Sequence, residues 1–461
     1  MTAIEAGVRP AGRMADKRVG HQTVALADGT VLIIGGASDG NYSKPVAVVE
    51  RWNPSTGEFS PAGKLCAPRS KHAAVVLSDG RILVVGGQDK KGLGVAKAEL
   101  WAPDDQQWSQ AGTILNAEQR APVTAIALLD GGALLVGKYG ETQRWAPKAK
   151  AFVEAISPKS DSYSHYGVAL SDGRIRLVGD KGDLLTWNPE SSTWAASKLP
   201  EVFDNRRGIR AASIGNDQIL ICGGITDDTQ PNVATSAAVV WRADNDQLET
   251  VGDMVVPRAT HIMCLLTTGE VLVSGGTRGQ KVAKYGGFEF DNLTEFEVFD
   301  VRSRTFRAAG ALKTYVSAPS FAALHDGRAF MTGGMATGGA IRRDAEIWSN
   351  GKSAAPAYSS INSAVDAKAL RKAYCRIDGQ QFFDSAWVNI SGLYTAMVDW
   401  ARTHHPKCYQ ELGGGTESPK MLAYMLEPVV GVSELAKFIN QLPDDLKREA
   451  IRAIEDAEAV D

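Results

Sequence analysis

The sequence predicts a mostly β fold: a seven-bladed β-propeller over residues 1–355, closed by an N-terminal strand, then a small α-helical domain over 356–461. Three observations carry that reading. One hairpin phrase occurs seven times in phase, and an aromatic residue marks a further strand after every copy. From about Ser360 the apolar spacing changes from alternation to helical steps.

The hairpin phrase is clearest at Val24–Gly36, VALADGTVLIIGG. Asp28-Gly29 supplies the positive φ of a tight turn, Val31–Ile34 reads as a strand buried on both faces, and Gly35-Gly36 ends it. The phrase returns at Leu77–Gly87, Leu128–Gly137, Leu170–Gly179, Ile214–Gly224, Leu266–Gly276 and Leu324–Gly334. In all seven copies the second turn residue precedes the first strand-ending glycine by six, so the copies share one register.

Trp52, Trp101, Trp145, Trp187, Trp241, Phe299 and Trp348 mark a third strand in each repeat. Phe59, Trp108, Phe152, Trp194, Leu248 and Phe306 follow seven residues later and mark a fourth. Four short antiparallel strands in about 42–58 residues are the size of a propeller blade, and the flat side chains fill the gap between blades. The seventh repeat lacks the second anchor: position 355 is Ala. Pro10-Ala11-Gly12-Arg13-Met14 mirrors Pro61-Ala62-Gly63-Lys64-Leu65 at the end of repeat one. Residues ~5–14 are therefore expected to form the outer strand of blade 7, closing the ring and leaving fewer free edges.

The double glycines, the Arg before the hairpins and the Glu-x-Trp elements (Glu50-Trp52, Glu99-Trp101, Glu346-Trp348) resemble the kelch repeat family over about residues 5–352. Repeats three and four depart with single glycines, repeat five with a degenerate turn, and repeat six with Glu297-Phe299. The resemblance implies a kelch-type propeller. Kelch domains that grip acidic peptides use arginines near the start of the inner strand.

Arg18, Arg69, Arg120, Arg206 and Arg258 form such a column, replaced by Ser162 and Val316 in repeats four and seven. Two roles are open to it: a guanidinium ring at the channel mouth for a carboxylate-bearing partner, or braces that bind loop carbonyls and acids of each blade. His21, His72, His165 and His261 follow three residues later. Equivalent positions in different blades surround a channel and do not converge, so these read as packing residues and no metal site is expected. The column Glu50, Glu99, Glu297 and Glu346 reads as framework.

The segments after the double glycines are long in repeats five, six, seven, one and two, and almost absent in three and four. That makes one contiguous elaborated arc, where recognition usually sits. Its candidate contacts are Lys90 and Lys91, the run Lys281, Lys284, Tyr285, Phe288 and Phe290 in the longest segment, and Arg342 and Arg343 in repeat seven.

Phe383, Trp387, Ile390, Tyr394, Met397 and Ala401 fall on one helix face, as do Leu435, Phe438, Ile439 and Leu442. His404-His405-Pro406-Lys407-Cys408 lacks the spacing of a zinc site. A net charge of -3 and pI near 6.2 give no global footprint for nucleic acid, and no apolar run reaches a membrane span. Five scattered cysteines and no apolar leader fit a reducing cytoplasm. No catalytic constellation, phosphate loop or cofactor fingerprint is evident. The expected function is non-catalytic binding of a protein or acidic peptide through the channel mouth and loop arc, with the helical domain for docking or oligomerisation. A carbohydrate-active oxidase or epimerase, and a toxin-neutralising immunity-type protein of bacterial style, are the alternatives.

Overall fold

Blade 1 shows how each repeat is built. Inner strand Gln22–Ala25, second strand Val31–Ile34, third strand Val48–Trp52 and outer strand Phe59–Lys64 make one antiparallel sheet in that order. Gly29 takes φ +82° in the turn, and the Asp28 carboxylate accepts from the Thr30 amide at 2.9 Å. The other six blades start their inner strands at Ala73, Thr124, His165, Arg210, Ile262 and Ser320, so all seven sheets are four-stranded with the same order. These coordinates come from a computed structural model that describes residues 6–351, apart from positions 27, 104–105, 116–123, 171, 189–190, 192, 216, 227–231, 243–246 and 283–287.

The core is distributed. Seven apolar clusters lie one between each pair of neighbouring blades. Second strands explain why: Val31 and Ile33 pack toward blade 7, while Leu32 and Ile34 pack toward blade 2. A strand covered on both faces has no polar alternation, which is what the runs VLII and ILVV display. Third-strand tryptophans reach across the same gaps. Trp52, Trp145 and Trp348 donate their indole N–H to Ala11, Ala111 and Ala309 on the outer strand of the preceding blade, at 2.7–2.9 Å. Trp52 also stacks on Phe330 of blade 7 with ring centroids 4.2 Å apart.

The ring closes as expected. Gly7–Arg13 pairs antiparallel with the third strand of blade 7, Asp344–Ser349, from Gly7 opposite Ser349 to Arg13 opposite Asp344. The blade-1 tryptophan therefore bonds a carbonyl that comes from the closing strand itself.

The chain divides into two compact units, Met1–Ala357 and Tyr358–Asp461. The expected helical domain, with its His404–Cys408 cluster, lies outside the described residues. Among the described residues no α-helix occurs, only the 3-10 turns Lys138–Gly140 and Glu201–Phe203, and no helix is long and apolar enough to cross a membrane.

Candidate functional site

Antiparallel pairing puts the start of each inner strand beside the end of the second strand, so the Arg, His and double-glycine columns share one end of the propeller. For Arg18, Arg69 and Arg258 the bracing role holds and the expectation of guanidinium groups open to a partner is corrected. Arg18, Arg69 and Arg258 have no exposed surface. Each pairs with the framework Glu of its own third strand: Glu50 at 2.6 Å, Glu99 at 2.8 Å and Glu297 at 2.6 Å. Each also donates to the carbonyl of its own first glycine, Gly35, Gly86 or Gly275. The carboxylates complete the clamp by accepting backbone N–H groups from the segment that enters the blade: Ala15 for Glu50, Cys66 and Ala67 for Glu99, Val255 and Val256 for Glu297. A buried guanidinium needs several acceptors, and the blade supplies them to the terminal nitrogens internally, while Nε of Arg18 and of Arg258 has none among the described residues.

The histidines pack between blades. The His72 ring lies against Gly35 of the preceding blade, His261 against Gly223 and His21 against Gly333, where a Cβ would stand 2.7–2.9 Å from ring Cε1. The following glycine amides donate to the Arg69, Arg258 and Arg18 carbonyls at 2.8–3.0 Å. Burial, with the adjacent guanidinium second, holds His21 and His72 down to about 3, and holds His261 well below its ordinary value. The rings are neutral spacers in separate gaps.

Blades that lack the Arg–Glu pair solve the site differently. In blade 4, Ser162 donates to Asp183 at 2.8 Å. In blade 3, Gln143 stands in the Glu column and exchanges bonds with both Leu115 backbone groups. In blade 7, Glu346 is met by Arg342 at 3.3 Å, so Arg342 also serves the framework, while Arg343 is exposed. In blade 5 Val239 occupies the Glu position; Arg206 turns outward and donates to the carbonyls of Val202 and Val233. Arg120, Lys284 and Tyr285 lie outside the described residues. Lys281 and Phe288 stand on the paired strands Thr277–Val282 and Phe288–Asn292, Phe290 is half exposed, and Lys90 and Lys91 are exposed.

The described residues of the loop arc contact one another across blades. Gly40 of blade 1 lies against Met335 of blade 7, the Lys71 ammonium sits 3.7 Å from the Tyr42 ring centre, and Val233 of blade 5 bridges to Gly279 of blade 6. Inside this rim a cavity of about 490 Å³ opens at blades 4 to 7, lined by Tyr166, Arg210, Met263 and Tyr315 among others. Arg210, the first residue of its inner strand, donates to the carbonyls of His261 at 3.0 Å and Ile209 at 3.2 Å, with its guanidinium 5.0 Å from the Tyr166 ring centre. Burial pushes the Tyr166 and Tyr315 hydroxyls up, so both stay protonated donors at neutral pH. Sequence reading missed Arg210 because its column reads Gln22, Ala73, Thr124, Tyr166, Ile262 and Ser320 elsewhere. A second cavity, about 640 Å³, opens between blades 4 and 5 on the same end.

Comparison with known proteins agrees with this architecture. Residues 69–113, which span blade 2, match the model of the Kelch motif. No curated protein matches the sequence. Among solved structures, a novel fungal alcohol oxidase with catalytic diversity among the AA5 family, determined in complex with copper, is similar with a TM-score of 0.60. The likeness covers 79% of this chain and 82% of that one at 13% identity, a likeness of fold.

Proposed function

We propose that this kelch-type propeller is a non-catalytic binding scaffold for a protein partner, seated on the long-loop end, with Arg210 taking a carboxylate of that partner. The observation that carries the reading is the channel-mouth cavity, where a guanidinium and the tyrosines Tyr166 and Tyr315 converge inside a rim of interlocked loops. Arg210 has donors beyond the two that meet carbonyls, and a carboxylate is the acceptor that fits a guanidinium best. Exposed Lys90, Lys91 and Arg343 on loops at the same end add long-range attraction for an acidic surface.

The oxidase reading draws on the fold it shares with the alcohol oxidase. It is the weaker one because, among the described residues, no three His, Cys, Asp or Glu side chains come together as a metal set, and the column histidines stand in separate interblade gaps. Affinity purification with the full chain tests the proposal. A partner captured by the parent protein should be lost with Arg210→Ala and with a shortened 277–293 segment, at unchanged melting temperature. Capture that survives both changes refutes it.

A further inference from the structure

We infer that the cavity between blades 4 and 5 binds a small zwitterion of the amino-acid type, carrying one ammonium and one carboxylate. The site is separate from the channel mouth and does not depend on the partner proposed there.

The cavity exists because two blades depart from the repeat. In blades 1, 2 and 6 the base of this end is filled by a buried Arg–Glu pair. Blade 4 has Ser162 and Asp183 instead, a hydrogen-bonded pair several heavy atoms shorter. Blade 5 has no acid for its column arginine, so Arg206 swings to the cavity wall and is held there by two carbonyls. Only three residues, 180–182, link the second and third strands of blade 4, so no loop covers the space. The resulting volume, about 640 Å³, is of small-molecule size.

The lining selects the ligand. Lys181 and Lys198 line the same space as Asp161 and Asp204, all four exposed and, among the described residues, none with its side chain in an ion pair or hydrogen bond. Elsewhere on this protein exposed charges within reach do pair, as Arg81 does with Asp79 and Arg174 with Asp172. Here both signs line one space and no ion pair joins them among the described residues. A ligand of one net charge is attracted by half of this wall and repelled by the other half, whereas a zwitterion can meet each sign with its opposite. Tyr139, from the turn after the second strand of blade 3, also lines the space. Its backbone is left-handed at φ +54°, the residue is 56% exposed, and its ring meets Tyr163 edge to face at 6.1 Å, leaving aromatic surface available to an ammonium. Asn205, also on the wall, is left-handed at φ +52°. Backbone strain of this kind gathers at binding sites.

Calorimetric titration of the full chain tests the inference, using the free α-amino acids, their methyl esters, their N-acetyl forms and a neutral oligosaccharide. We expect at least one free amino acid to bind, and blocking either end to weaken it about tenfold or more, as loss of a charge-assisted contact should. Lys198→Ala and Asp204→Ala should each weaken binding similarly with the melting temperature unchanged. Tyr139→Gly should weaken binding while keeping or raising that temperature, since glycine accepts the left-handed backbone. The inference is overturned if no free amino acid binds, if the blocked forms bind as well, if only the oligosaccharide binds, or if the three variants leave affinity unchanged.

Discussion

Glu99→Ala puts the framework role of the arginine column to a quantitative test. The change removes the acceptor that Arg69 meets at 2.8 Å and that the Cys66 and Ala67 amides meet at 2.6 and 3.2 Å. Both partners of the pair have 0% side-chain exposure, so water cannot replace the lost carboxylate. Deleting one member of a buried ion pair costs about 3–5 kcal/mol, and each amide stripped of its acceptor adds about 1 kcal/mol or more. We expect a loss of about 5 kcal/mol, large beside the ~5–15 kcal/mol that holds a typical domain. At about 2–4 °C per kcal/mol for a chain of this size, the melting temperature of the full-length protein, followed by tryptophan fluorescence, falls by about 10–20 °C. Arg69→Met/Glu99→Leu should recover most of that loss, because an apolar pair of similar volume leaves no buried charge. An unchanged melting temperature for Glu99→Ala refutes the clamp. Loss of partner capture by a normally stable Arg69→Ala would return that arginine to the binding surface.

Acid should destabilise the ring through its histidines. His21 and His72 are held to about 3 in the folded protein against about 6.5 unfolded, so below pH 6.5 only the unfolded chain takes up these protons. Their contribution is fully present above pH 6.5 and falls by about 1.4 kcal/mol per pH unit for each ring as pH drops toward 3. Melting curves between pH 6.5 and 4.5 check this: His72→Gln should flatten the slope by one ring's share, and an unaltered slope would show that His72 is not held neutral. Deleting residues 1–13 strips the outer strand from blade 7 and the acceptor from the Trp52 indole, and should lower the melting temperature by about 10 °C or more. No change would mean the ring closes without that strand. Gly35→Ala places a methyl 2.8 Å from the Arg69 carbonyl oxygen and 2.9 Å from the His72 ring at φ +58°, and should cost about 3 kcal/mol. Gly29→Ala at φ +82° meets nothing within 4 Å and should cost only about 1 kcal/mol, so urea midpoints that match for the two variants would contradict the contact.

Much of this molecule is written locally. The Asp-Gly turn, the four-residue apolar run and the tryptophan each report on their own few residues. Their recurrence in one register sets blade number, strand order and the closing strand without any long-range information. The long-loop end was legible in outline, because loop length can be read directly from the spacing between double glycine and aromatic. The role of the arginines was not. Whether Arg69 points to solvent or to Glu99 depends on a carboxylate thirty residues away and on the next blade that seals both from water, and Arg206 shows the same column facing outward where Val239 leaves it no acid. The two cavities are likewise products of assembly. Arg210 is the single arginine of a column that is otherwise uncharged, and the gap over Ser162 and Asp183 appears only when blades 4 and 5 stand side by side. Sequence alone determined the scaffold because turns and strand burial are short-range choices. Tertiary structure alone decided which charges are buried and which are offered, because burial belongs to the closed ring and not to any one repeat.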